Sequence, residues 1–251
     1  MSSTVNETLS LLKNHRSVRQ FTNQQVTDEQ LNTIISTAQR ASTSSNVQAY
    51  TVIAITEPEL RGKLALLAGN QEYVERCSVF LVWCADLYRL KQVTAPHLGD
   101  KPSYEDSLEN FIVATTDVAL AAQNAAVAAE SLGLGIVYIG GVRNHIAEVS
   151  ELLGLPELVY PVFGMCIGYP NQENDVKPRL PIEAVLYKNR YNKEQSVEQV
   201  IAYDITTKQY MLERTEGKKD TPWSQVMATR LALPHRLHMK EFLDSKGFMQ
   251  Q

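Results

Sequence analysis

Eight alanines fall between positions 114 and 129. They sit in a stretch, residues 105–132, whose other apolar positions include Leu108, Phe111, Ile112, Val118 and Leu132. The spacing predicts one long helix. Side chains this small let a second helix approach closely. A helix apolar on more than one face belongs at the centre of a domain or in a subunit interface. Left partly exposed on a monomer, it would be hard to explain. No apolar run reads as long enough to span a bilayer.

The chain has 251 residues, long for one domain and short for two, which predicts one compact unit with excursions. Its net charge is −4, with no basic tail or stripe, so a general nucleic-acid binder is excluded and any anion binding must be local. Cys77, Cys84 and Cys166 form no Cys-x-x-Cys pair, and each lies in or beside an apolar run, the pattern of buried thiols. The polar start offers no secretory core, so a cytoplasmic protein is expected.

Taken in order, 4–13 carries Val5, Leu9 and Leu12 at helical spacing. Thr27 with Gln30 reads as a capping box opening a helix to about Arg40. The segment 42–46, Ser-Thr-Ser-Ser-Asn, is too polar for core and reads as a loop or a hydroxyl-lined wall. Residues 50–56 alternate as a strand. A helix from Pro58 to about Leu67 is broken by Gly69-Asn70-Gln71. The apolar run 78–85 reads as a strand buried on both faces. With two prolines and a glycine, 93–104 reads as a mobile loop. Strands are predicted at 136–139 and 160–169, and a short one at 185–187. Helices are predicted at 144–153, 196–215, 223–231 and 238–246. The mixture indicates an α+β sheet flanked by helices, not a doubly wound parallel sheet.

Near the start, His15-Arg16-Ser17-Val18-Arg19 gathers three basic or protonatable groups and a hydroxyl, able to hold one anion through forked, charge-assisted hydrogen bonds. Gly140-Gly141 at a strand-to-helix junction permits either a tight turn or close backbone approach to a ligand. In Lys177-Pro178-Arg179-Leu180-Pro181 the prolines hold the two cations in an extended segment. His235 and His238 have no metal-ligand partners at a recognised spacing, so no metal site is expected. No nucleophile elbow, phosphate loop or dinucleotide fingerprint occurs. What remains suits a cofactor with a phosphate, a polar chain and a flat heterocycle, which would itself carry the chemistry.

These motifs, in this order, resemble the nitroreductase family, in its oxygen-insensitive NADPH nitroreductase and NADPH–flavin oxidoreductase branch. The opening His-Arg-Ser-hydrophobic-Arg-x-Phe, the Ser-rich loop, Gln71, the run from Ala128 to Asn144 and Lys177–Pro181 carry the resemblance. It implies an α+β sandwich with a central mixed β-sheet flanked by helices, in an intertwined homodimer. It further implies a single domain over 1–251, whose helical C-terminal excursion, about 190–251, covers the partner and the NADPH site. FMN would be the bound cofactor and NADPH the co-substrate. His15, Arg16, Ser17, Lys177 and Arg179 would hold the FMN phosphate and ribityl chain. Arg19 would face the pyrimidine edge, where a cation stabilises reduced flavin. Thr43, Ser44, Ser45 and Gln71 would bond the ring or phosphate from the other side. Tyr138, Ile139, Gly140 and Gly141 would run beside the ring, a backbone N–H of the glycines facing flavin N5. Arg214, Lys218 and Lys219 would read the NADPH 2′-phosphate, and Arg236 and Asn46 the acceptor. The reaction implied is ping-pong hydride transfer to nitro compounds, quinones, free flavins or disulfides, with no catalytic side chain. A dedicated flavin reductase feeding a partner enzyme, or a flavin-binding protein without turnover, are the alternatives.

Overall fold

The structure, a computed structural model, describes residues 6–251; Thr4 and Val5 of the first predicted helix lie outside them. The elements run α1 (Glu7–Lys13), α2 (Asp28–Ala38), β1 (Tyr50–Ile55), α3 (Pro58–Leu67), α4 (Glu72–Arg76), β2 (Val79–Asp86), α5 (Tyr88–Leu98), α6 (Leu108–Ser131), β3 (Gly135–Ile139), α7 (Ile146–Leu152), β4 (Val159–Gly168), α8 (Lys193–Arg214), α9 (Trp223–Ala232) and α10 (Met239–Ser245). Two compact units result: Met1–Asn174 with Arg236–Gln251, and Asp175–His235.

In the first unit four strands form an antiparallel sheet in the order β1-β2-β4-β3. Its mixed character comes from an isolated parallel bridge, Ser17 to Ile136 of β3. Every residue of β2 is buried, and the period of two divides them between two cores. Val79, Leu81, Trp83 and Ala85 face α2 and α6; Phe80, Val82 and Cys84 face the layer of α3 and α7. That explains an uninterrupted apolar run: neither face meets water.

The long helix is α6, capped by Ser107, whose side chain accepts from the Asn110 N–H, and ended by Gly133 at φ 77°. Ala114, Ala121, Ala122, Ala125, Ala126 and Ala129 are fully buried against α2 and the sheet. A leucine at Ala122 would overpack this contact at a cost of about 1–3 kcal/mol. By length and composition α6 could cross a membrane, with a mean hydropathy of 1.4, contrary to the sequence expectation. Its alanine face instead forms the centre of this core.

Two further expectations are corrected. Residues 93–98, expected in a loop, belong to α5: Pro96 falls in its last turn, and Gly99 ends it at φ 57°. No strand covers 185–187; a 3-10 turn at Ile182–Ala184 precedes it. The helix expected over 144–153 is α7, and a 3-10 turn at Gly140–Arg143 precedes it. The capping box of α2 is present, with Thr27 accepting from Gln30 N and Gln30 from Thr27 N. The chain end returns to the first core, where Phe248 is wedged edge-on against Phe111 and Tyr160 at 5.8 and 5.2 Å.

In the second unit, α8 packs against α9 and the turn before it. Thr207 accepts from Trp223 N and Asp204 from Ser224 N. The Tyr203 hydroxyl donates to the Pro178 carbonyl at 2.9 Å and holds the 177–181 segment.

Candidate active site

The basic motif is fixed by the edge of β3. Val18 N–H donates to Ile136 O at 2.9 Å, and Asn174 Nδ2 to Ser17 O at 2.9 Å. Val18 packs on Gly135, where a Cβ would come within 2.6 Å of it; Phe21 likewise covers Gly168 at 2.8 Å. With Val18 buried, Arg16 and Arg19 are left at the surface. His15 Nδ1 lies 2.6 Å from Glu130 Oε1 in the last turn of α6. Arg16 and Glu130 line a cavity of about 630 Å³ with Gly133, Gly135, Asn171 and Gln172. Sequence reasoning placed His15 here but missed Glu130, 115 residues away.

From Arg19 a chain of contacts crosses the site. Its guanidinium lies over the Tyr73 ring, 5.9 Å from the centroid. The Tyr73 hydroxyl donates to Gln71 Oε1, and Gln71 Nε2 donates to Ala68 O at 2.5 Å. Gly141 abuts both: a Cβ there would overlap the Ala68 carbonyl oxygen and stand 2.5 Å from Gln71 Nε2. At Gly140 the nearest atoms to a Cβ would be Arg143 Nη2 at 3.4 Å and Arg236 Nη2 at 3.9 Å. The two glycines thus differ. Gly141 is required by the end of α3, and Gly140 faces two guanidinium groups. The sequence reading treated the pair together, as either a tight turn or a close approach to a ligand.

Arg143 was not foreseen. A β-bulge shifts the β2–β4 register, pairing Trp83 with Phe163 and Cys84 with Pro161, so Val162 has no opposite residue. Its carbonyl accepts from Arg143 Nη1. Burial, then the neighbouring charge of Arg236, lowers the Arg143 pKa. Arg236, at φ 53°, donates from Nε to Asn144 Oδ1 at 2.9 Å. The only sequence signal for Arg143 was its position just past the double glycine.

Tyr138 points to Gln123, with its hydroxyl 3.4 Å from Oε1, and burial followed by the Glu130 charge raises its pKa. Ile139 is buried in the second core. Thr43, Ser44, Ser45 and Asn46 are held separately, by α6. Asp117 accepts from Ser44 N at 3.0 Å and Ala49 N at 3.1 Å, bracketing a turn with Ser45, Asn46 and Gln48 at φ 46°, 58° and 54°. Lys177, Arg179, Arg214, Lys218 and Lys219 belong to the second unit. There Arg179 Nη1 donates to Lys177 O at 2.8 Å, and Lys218 pairs with Glu216 at 3.6 Å.

An antiparallel sheet between helical layers, with arginines gathered at a glycine pair beyond one of its strands, defines a class. Residues 12–169 match the nitroreductase family and residues 177–251 the nitroreductase family, C-terminal domain. The chain belongs to the nitroreductase family. It is similar to an FMN reductase (NADPH) of Bacillus subtilis (strain 168), 42% identical over 246 residues, or 97% of this chain and 99% of that one. It is 46% identical over 238 residues to a Cr(VI) reductase of Pseudomonas sp. (strain G-1), covering 95% and 97% of the two chains. Among solved structures, B. megaterium NfrA1 matches with a TM-score of 0.93 at 44% identity, covering 98% of this chain and 100% of that one.

Proposed function

We propose that the protein is an FMN-dependent NADPH oxidoreductase working by a ping-pong cycle on small acceptors with nitro, quinone, flavin or oxyanion groups. The observation that carries this is the contact chain from Arg19 through Tyr73 and Gln71 to Gly140, Arg143 and Arg236. Guanidinium and amide donors, with no carboxylate in that chain, suit the carbonyl-rich edge of a flavin ring. Bound FMN would supply the two-electron chemistry, taking a hydride from NADPH and releasing two electrons to the acceptor.

The residues bind and orient. His15, Arg16 and Ser17 present cationic and hydroxyl donors to the phosphate end, with Lys177 and Arg179 assigned there by the resemblance. Arg19 offers its charge to the ring, and Gln71 its second amide hydrogen. Gly140 leaves room for close approach, with Arg143 and Arg236 beside it for an acceptor's oxygens. Thr43, Ser44 and Ser45 complete the hydroxyl wall. Arg214, Lys218 and Lys219 are the candidates for the NADPH 2′-phosphate.

We also propose a homodimer. On the first unit Leu9, Leu12, Leu108 and Ile112 are exposed; on the second, Val197, Ile201 and Ile205 form an i, i+4, i+8 stripe along α8. Three free, buried thiols suit a cytoplasmic enzyme. The test is an absorption spectrum of the purified protein before and after anaerobic NADPH. Flavin bands that bleach are expected. Protein that takes up no FMN even when it is supplied refutes the proposal.

A further inference from the structure

Tyr73 is a link in the contact chain above but was assigned no effect on the flavin, and it touches two of the residues assigned to it. It lies in the first turn of α4, directly after Gln71, the N-cap of that helix. Its hydroxyl donates to Gln71 Oε1, and its ring carries the Arg19 guanidinium at 5.9 Å. Gln71 is held at its other end by Ala68 O, so both amide atoms are fixed and the amide cannot flip. Arg19 is exposed and, among the described residues, has no carboxylate partner. An aromatic face holds a cation without neutralising it, whereas a carboxylate would cancel the charge. The ring therefore orients Arg19 and leaves its charge available to an anion.

We infer that Tyr73 is a positioning residue that sets how much more tightly the site holds reduced than oxidised FMN. This rests on the reading that Arg19 and Gln71 face the flavin. With FMN bound, hydride addition would convert the neutral ring to a ring anion while the nicotinamide took the positive charge. A cation fixed beside that anion stabilises the reduced form selectively. The amide of Gln71 serves both forms alike. For unit charges near 4 Å apart, withdrawal by about 2 Å at an effective dielectric near 20 weakens the interaction roughly tenfold in equilibrium terms. By the thermodynamic cycle, a tenfold change in the ratio of the two dissociation constants is about 30 mV for a two-electron couple.

The experiment titrates apoprotein with oxidised FMN and, anaerobically, with dithionite-reduced FMN. It compares wild type with Tyr73→Phe, Tyr73→Leu and Arg19→Gln. Phe keeps the ring and loses only the Gln71 bond, so both constants should rise together by a few fold with their ratio within twofold of wild type. Leu removes the ring as well, and the preference for reduced FMN should fall about tenfold. Arg19→Gln should lower that preference at least as much, and adding Tyr73→Leu to it should change the ratio no further. The inference is overturned if Tyr73→Leu retains the wild-type ratio, or if Phe and Leu shift it equally. Should Tyr73→Leu not fold, an unchanged ratio in Arg19→Gln overturns it independently. Wild-type apoprotein that binds neither form sinks the flavin reading itself, a result distinct from binding with an unaltered ratio.

Discussion

Replacing Gly141 with alanine should destabilise the fold, whereas the same change at Gly140 should not. At 141 the new methyl would overlap the Ala68 carbonyl oxygen, closer than Cβ atoms pack, and lie 3.0 Å from its carbon. That obstacle is backbone, at the end of α3, so relief requires helix and turn to part. Overpacking of this kind costs about 1–3 kcal/mol. Moving the carbonyl also loosens its bond from Gln71 Nε2, worth about 1 kcal/mol more. A total of roughly 2–4 kcal/mol corresponds to a fall in Tm of about 5–15 °C for a chain of this size. At 140 the nearest atom is Arg143 Nη2 at 3.4 Å, the far end of a flexible side chain. There the cost should stay below about 1 kcal/mol, yet the methyl enters the space beside Arg143 and Arg236. Thermal melts of the two apoproteins, followed by FMN titration of each, separate the effects. Gly141→Ala should melt early; Gly140→Ala should melt normally but bind flavin or reduce acceptors poorly. Equal melting shifts, or an unchanged Gly141→Ala, would refute the division of roles between the two glycines.

Arg16→Ala should weaken FMN retention by about 1–3 kcal/mol, the loss of one charge-assisted contact, read by equilibrium dialysis; full flavin content after purification would remove Arg16 from the site. Asp117→Ala should cost about 2–4 kcal/mol, since the Ala49 N–H would be left buried and unpaired and the 44–49 turn released. Amide exchange at Ser44 and Ala49 should then rise to loop rates, and unchanged protection would contradict the clamp. Burial pushes Tyr160 from 10.0 up to about 12, against the hydrogen bond with Thr115. The folded state thus keeps a proton that the unfolded chain loses. Stability from this group is complete below pH 10 and falls by about 3 kcal/mol in all as pH rises towards 12. Tyr160→Phe should flatten urea-derived stability against pH over that window, and an undiminished slope would refute the assignment.

Much of the fold was legible because it follows from local periodicity. The unbroken apolar run of β2 declared a strand covered on both faces, the alanines of α6 a central helix, and Thr27 with Gln30 a helix start. These are properties of neighbours in the chain. The order of motifs also sufficed to identify the family. Pro96 misled because a proline one turn from a helix's end removes a single N–H bond and leaves the preceding turns intact, and α5 is already anchored where Arg89 N–H donates to Asp86. What no local pattern could show was which distant group completes each local one. Glu130 reaches His15 across 115 residues, Asp117 clasps a turn 68 residues before it, and Val162 holds Arg143 only because a bulge frees its carbonyl. Such pairings arise once the sheet register and helix packing have fixed where each side chain lies. The sequence by itself therefore determined the elements and the kind of chemistry; the tertiary structure alone decided which residues hold the site in shape.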